Sequence, residues 1–332
     1  MSRLILHIGA HKTGTTSVQH FFKAREAALG AHGVAYPLTG RLAAHYVFAA
    51  PWIGEMKPLY GFTPEDGREA WARLDADWAG FEGTVLLSAE AFCHVRPDWV
   101  DFREVAALAS RFDEVEVVYV ARDQLSAIQS VFMEISRTRA DWPRLELILE
   151  VALMADSPFP LTFDHRVMLD HVEEGFDPAQ IRFLGADRLH AAEGGIIGYF
   201  ARLCGLPAEA VGEPARLNVS ADPLAHYVAA ELSAPAKVEA ADIERCRAAL
   251  EEVYGPGVRT TMFTREEIER ARAFFGPANA ALAERIVAHD DCAARLTLPC
   301  FEDHLTRDQL GEDFRAALRR AYPDRQRIPV FG

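Results

Sequence analysis

Between Gly9 and Ser17 the chain reads Gly-Ala-His-Lys-Thr-Gly-Thr-Thr-Ser. Gly14 has no side chain, so its backbone can approach an anion closely. Thr13, Thr15, Thr16 and Ser17 offer hydroxyl donors, and Lys12 offers a mobile point charge that can neutralise a departing oxygen. A short apolar run, Leu4 to Ile8, precedes the loop, and the stretch from Ser17 to Leu29 carries Val18, Phe21, Phe22 and Ala28 at spacings that suit the buried face of a helix. Strand, glycine loop and helix in that order aim backbone N–H groups and a helix dipole at an anion. The bland alternative is a glycine turn that only caps the helix. A lysine and four hydroxyl residues exceed what such a turn needs.

The loop is not the Walker A arrangement, in which the lysine follows the last glycine and meets the β- and γ-phosphates. Here Lys12 precedes Gly14, and no carboxylate after a strand clearly plays the magnesium-holding part. Magnesium-dependent nucleotide hydrolysis is therefore disfavoured. Further along, Arg122 closes the apolar run Val115 to Val120, where a guanidinium could fork onto phosphate oxygens. On a helix opening near Asp123, Ser126 and Ser130 share one face by their four-residue spacing. Pairing of Arg122 with Asp123 or a surface carboxylate is the competing explanation.

Two residues suit the removal of a proton. Glu90 follows the run Thr84 to Leu87 and projects from a strand end, where ligands collect in open α/β sheets. His45 lies beside Tyr46 in a segment rich in glycine, proline and aromatic residues, and imidazole suits proton transfer near neutral pH. Glu90 could equally cap the following helix, and His45 could pack on Tyr46. His7 and His11 straddle the end of the first strand without a carboxylate or cysteine cluster beside them, so a metal site is not expected.

The elements that must position these groups alternate. Strands are expected at Leu4–Ile8, Thr84–Leu87, Val115–Val120 and Ile181–Leu184. Helices are expected at Ser17–Leu29, Pro64–Ala79, Asp98–Arg111, Gln124–Arg139 and Gly195–Leu203. Residues 34–63 read as mostly irregular and surface-lining. Alternation of this kind implies a parallel sheet with helices on both faces. After about Pro207 only amphipathic helices are expected, at Leu224–Leu232, Asp242–Tyr254, Arg265–Val287 and Gln309–Ala321. This places an α/β core at 1–205 and a helical extension of the same domain at 206–332. Trp142, Phe159 and Phe163 could line an acceptor pocket, although packing of peripheral helices accounts for them as well.

The chain has 332 residues, half of them hydrophobic and a quarter charged, with a formal charge of −14. An acidic surface disfavours general nucleic-acid binding. No apolar stretch approaches the roughly 20 residues needed to span a bilayer. No secretory signal is read at the N-terminus, so a cytoplasmic location is expected. Five dispersed cysteines, Cys93, Cys204, Cys246, Cys292 and Cys300, read as reduced thiols. The Asn218-Val219-Ser220 sequon then has no role.

The pattern His11-Lys12-Thr13-Gly14-Thr15-Thr16 resembles the 5′-phosphosulfate-binding loop of sulfotransferases that use 3′-phosphoadenylyl sulfate (PAPS), whose usual form is Pro-Lys-Ser/Thr-Gly-Thr-Thr. The version in this chain looks like the bacterial branch of that family. The resemblance implies a P-loop-like α/β fold over residues 1–205 and transfer of a sulfuryl group from PAPS to a hydroxyl on an acceptor such as a carbohydrate, lipid or small metabolite. It implies PAPS as cofactor, no metal, and nucleotide contacts from His11 through Ser17. It also implies a 3′-phosphate site of an arginine at a strand end and a serine eight residues later, which Arg122 and Ser130 match. Gln124 stands where the family often has proline. Arg216, in a stretch Arg-Leu-Asn-Val-Ser similar to one found late in bacterial members, is carried as a further nucleotide contact. Lys12 would stabilise the leaving phosphate, and Glu90 or His45 would be the base. A P-loop kinase and a PAP-binding protein without catalysis are the alternatives.

Overall fold

In a computed structural model, the described residues are 1–54, 56–94, 100–154, 162–211, 221–325 and 328. The chain divides into two compact units, each built from separated stretches. The first comprises residues 1–122, 156–217 and 278–296, and the second 123–155, 218–277 and 297–332.

The first unit holds a five-stranded sheet, made of β1 (Ser2–Gly9), β2 (Val34–Ala35), β3 (Gly83–Ser88), β4 (Glu114–Ala121) and β5 (Ile181–Gly185), in the order β2-β3-β1-β4-β5. Every pairing is parallel. Parallel strands need crossover connections, usually helical, and these bury both faces. Leu4, Leu6 and Ile8 of β1 join one core with Val85, Leu87, Val117, Tyr119, Trp71 and Phe92, while Ile5 joins the other with Val18, Phe22, Val118, Val120 and Phe200. That two-sided burial is why the strands read as continuous apolar runs and not as alternating ones.

The helices, in chain order, are α1 (Thr15–Leu29), α2 (Met56–Tyr60), α3 (Pro64–Trp78), α4 (Phe102–Ala109), α5 (Gln124–Thr138), α6 (Leu145–Ala152), α7 (His165–Val172), α8 (Ala186–Ala191), α9 (Gly195–Leu203), α10 (Ala208–Val211), α11 (Pro223–Ser233), α12 (Ala240–Tyr254), α13 (Arg265–Ala283) and α14 (Glu312–Ala321). Local chemistry sets several starts. Thr63 and Asp66 form a reciprocal capping box ahead of Pro64 at the head of α3, and Asp101, Asp123, Asp164 and Asp222 cap α4, α5, α7 and α11.

The stretch 34–63 departs from expectation. It supplies the edge strand β2 and a 3-10 turn at Tyr46–Ala49, and it buries Phe48, Ala49 and Ile53 in the core around Trp71. A two-residue strand and a single 3-10 turn are too short to show periodicity, so only tertiary packing defines them.

At the far edge from β2, Glu116 of β4 is buried between Arg3 of β1 and Arg182 of β5, and Arg182 also pairs with Asp290 at 2.7 Å. A buried carboxylate needs such partners. The second unit contains α5, α6, α11, α12 and α14, with residues 265–277 of α13. Within it, Gln129 accepts from the Thr261 hydroxyl at 2.8 Å and from the Met262 N–H at 3.1 Å. Arg307 is buried, donates to Glu267 at 2.6 Å and lies 4.8 Å over the Tyr227 ring. Trp142 packs edge-on against Phe132 in this unit with ring centroids 5.3 Å apart, and Phe163 is buried in the first unit. Phe159 lies outside the described residues.

No described helix is long and apolar enough to cross a membrane. All five cysteines are free.

Candidate nucleotide site at the end of the first strand

The strand order reverses at β1. The chain leaves β1 toward β3 and β2 on one side, then returns to place β4 and β5 on the other. Loops following β1 and β4 therefore diverge around a crevice at the C-terminal edge of the sheet, the place where open α/β sheets take ligands. The glycine loop follows β1, and Arg122 follows β4.

Within the loop, the backbone turns sharply. Gly14 has φ +91° and is the N-cap of α1, and Lys12 has φ +65°. The Gly14 carbonyl accepts from the Ser17 N–H at 3.1 Å. No side chain caps α1, so the first N–H groups of a 15-residue helix face the loop. Thr13 is buried and donates to the Ala10 carbonyl at 2.8 Å. Thr16 is exposed, and Lys12 and Ser17 are half-buried.

Arg122 ties the two loops together. Its Nη1 donates to the Lys12 carbonyl oxygen at 2.9 Å. The Arg122 carbonyl accepts from His165 Nε2 at 2.8 Å, and His165 Nδ1 lies 2.9 Å from the Tyr119 hydroxyl. Because a carbonyl only accepts, His165 carries its proton on Nε2. Burial keeps that imidazole below its ordinary range. The main chain that presents Arg122 is thus pinned from α7 through His165.

Glu90 lies in a 3-10 turn after β3 and is 4% exposed. Thr15 Oγ1 donates to its Oε1, Gln19 Nε2 to its Oε2 at 2.9 Å, and the Tyr46 hydroxyl to Oε2 at 3.2 Å. Burial alone would raise this carboxyl. The nearby His11 ring and the Thr15 and Gln19 donors outweigh it and hold the group below the usual carboxylate range. Gln19 also donates to Ser88 Oγ at 3.2 Å, and Ser88 Oγ lies 2.7 Å from His7 Nδ1. The polar chain therefore runs from the first residue of α1 into the sheet.

His45 is fully buried. Its Nδ1 accepts from the Ser88 N–H at 3.0 Å, which leaves the proton on Nε2 to donate to the Pro37 carbonyl at 2.6 Å. Burial pushes it down to about 4. Both ring nitrogens are spent on the main chain, and the residue fastens the 34–49 stretch to the end of β3.

The structure thus gathers His11, Lys12, Thr13, Gly14, Thr15, Thr16, Ser17, Glu90 and Arg122 at one sheet edge. Ser130 lies on α5 in the helical unit, as does Ser126, whose N–H bonds the Asp123 cap at 2.8 Å. Arg216 and the Asn218 sequon lie outside the described residues. Among the described residues no group of three or more His, Cys, Asp or Glu is placed to hold a metal.

No family model matches the chain, and no curated protein matches it. Solved structures align with it at low similarity. A sulfotransferase from Alicyclobacillus acidocaldarius aligns at 11% identity and TM-score 0.44 over 82% of this chain and 95% of that one. Retinol dehydratase, in complex with androsterone and the inactive cofactor PAP, aligns at 13% identity and TM-score 0.33 over 98% of this chain and 82% of that one. What the chain does rests on its own side chains.

Several of those side chains carry no motif. His94 ends the 3-10 turn after β3, half-buried, with its ring centroid 5.6 Å from that of His11. Tyr46 and Tyr60 stack at 4.3 Å beside Glu90. Cys93 lies against Gly9, where a methyl group would come within 2.9 Å of its Sγ, and burial pushes its thiol up to about 12. For Cys93 and His94 the one sequence signal was their nearness to the end of β3. His190, at the end of α8, had none.

Proposed function

We propose that the chain is a PAPS-dependent sulfotransferase that moves a sulfuryl group to a hydroxyl-bearing acceptor. The observation that carries this reading is the Arg122–Lys12 contact. It brings the loop that resembles a phosphosulfate-binding motif and the arginine that resembles a 3′-phosphate ligand to one crevice.

PAPS, when bound, would supply the activated sulfuryl group. The chain's own residues fit it. The uncapped start of α1, Gly14 and the hydroxyls of Thr16 and Ser17 suit the 5′-phosphate, and Lys12 suits the charge that develops on the leaving oxygen. Arg122 suits the 3′-phosphate. The resemblance alone carries Ser130 and Arg216 as further nucleotide contacts. Transfer requires the acceptor hydroxyl and the leaving oxygen in line, with little covalent work from the protein.

Three donors on Glu90 and two main-chain partners on His45 argue for positioning roles at both residues. Glu90 orients Thr15 at the head of α1, and His45 holds the strand end. We assign acceptance of the acceptor's proton to His94, which is half-buried at the same edge beside His11. The aromatic faces of Tyr46 and Tyr60 suit an acceptor with an apolar or sugar face.

A thermal-shift comparison separates this from the kinase alternative. A ligand that binds only the folded chain raises its melting temperature. PAP is expected to stabilise the chain, and ATP with magnesium is not. Stabilisation by ATP–magnesium alone would favour a phosphotransferase. Transfer of labelled sulfate from PAPS to any member of a hydroxyl-compound panel then separates an enzyme from a protein that only binds PAP.

A further inference from the structure

His190 is the last polar side chain of α8, which begins directly after β5. Neither the loop motif nor the strand-end arginine points to it. Yet its imidazole lies over Gly14. A methyl group built at Gly14 would stand 3.1 Å from His190 Cε1 and 3.6 Å from Nε2. The edge of the ring that carries Nε2 is thus turned toward the residue where α1 begins, and α1 has no side-chain cap there. The residue as a whole is exposed.

Two charged groups act on the ring. Arg122, from the end of β4, opposes its protonation, and Asp187, on α8 itself, favours it. Burial and Arg122 together keep the imidazole below its ordinary range in the free chain. A histidine held neutral beside an arginine, over a helix N-terminus, is suited to respond when an anion arrives.

We propose that His190 is a phosphate ligand of the nucleotide site, donating through Nε2 to the phosphate group seated on the loop. This rests on the sulfotransferase reading, but neither motif supplies it. The bound phosphate offsets the positive charge of Arg122, so nucleotide binding draws a proton onto the ring. It also bears on glycine at position 14, where an added methyl would crowd the ring at 3.1 Å.

The test is calorimetric titration of PAP into the wild-type chain and into His190→Ala, His190→Gln and His190→Phe, each in two buffers of different ionisation enthalpy at pH 7. The side chain is exposed, so the variants are expected to fold. Loss of a charge-assisted hydrogen bond predicts about tenfold or more weaker PAP binding for His190→Ala and His190→Phe. The amide of His190→Gln should recover most of the affinity. The wild-type chain should take up more protons on binding than His190→Gln, a difference that a purely structural role would not produce. Equal affinity of His190→Ala and wild type overturns the proposal. So does affinity kept by His190→Phe and lost by His190→Gln, which would mean ring stacking. Failure of the wild-type chain to bind PAP overturns the sulfotransferase reading itself, and this inference with it.

Discussion

The guanidinium of Arg122 donates to the carbonyl oxygen of Lys12 at 2.9 Å. One residue follows β4 and the other sits in the loop after β1, so this bond ties the two loops together where the strand order reverses. It also explains how Lys12 is kept at φ +65°, a conformation seldom adopted without glycine. Arg122 is therefore both a candidate phosphate ligand and a brace for the loop.

Replacing Arg122 by alanine should weaken PAP binding by the ~1.5–3 kcal/mol of a charged hydrogen bond, measured by calorimetry. Lys12→Ala should behave differently. Its side chain acts on charge that develops during transfer, so turnover should fall roughly 100-fold or more while PAP affinity changes far less. A Lys12→Ala variant whose turnover is intact would remove the lysine from the chemistry.

Glu90→Gln tests positioning against proton transfer. The neutral amide cannot accept from all of Thr15, Gln19 and Tyr46, so a loss of about 1.5–3 kcal/mol in urea unfolding is expected. If Glu90 only positions Thr15, the shape of the pH–rate profile should survive in the variant. Loss of the acid limb of that profile would make Glu90 the base after all.

Gly14→Ala should destabilise the chain by at least about 1 kcal/mol, because alanine is disfavoured at positive φ. The added methyl also meets His190 at 3.1 Å. Adding His190→Ala should relieve the contact but not the backbone strain, so only part of the stability should return. Full recovery in the double variant would show that crowding, and not φ, sets the cost.

Acid should destabilise the fold in a definable window. His7 and His45 titrate near 6.5 when unfolded, and burial chiefly holds each at about 4 in the folded chain. Between those values the unfolded state binds more protons, so stability falls as pH drops from about 6.5 toward 4. The melting temperature should follow that course, with a shallower slope in His45→Gln. A flat profile across the window would contradict the buried, neutral state of these rings.

The sequence by itself determined the alternation of strand and helix, the glycine loop and the arginine at a strand end. These are local: an apolar run, a turn residue and a motif each occupy a few consecutive positions. Residues 34–63 were opaque, because β2 has only two residues and its pairing with β3 exists only once the sheet forms. The tertiary structure decided what no spacing could show. It spent both nitrogens of His45 on the main chain, surrounded Glu90 with donors from α1 and from Tyr46, and laid His190 over a glycine 176 positions away. The side chain's type sets what it can donate or accept, but its partners arrive from distant stretches, and in a buried polar network the partners fix which capacity is left for chemistry.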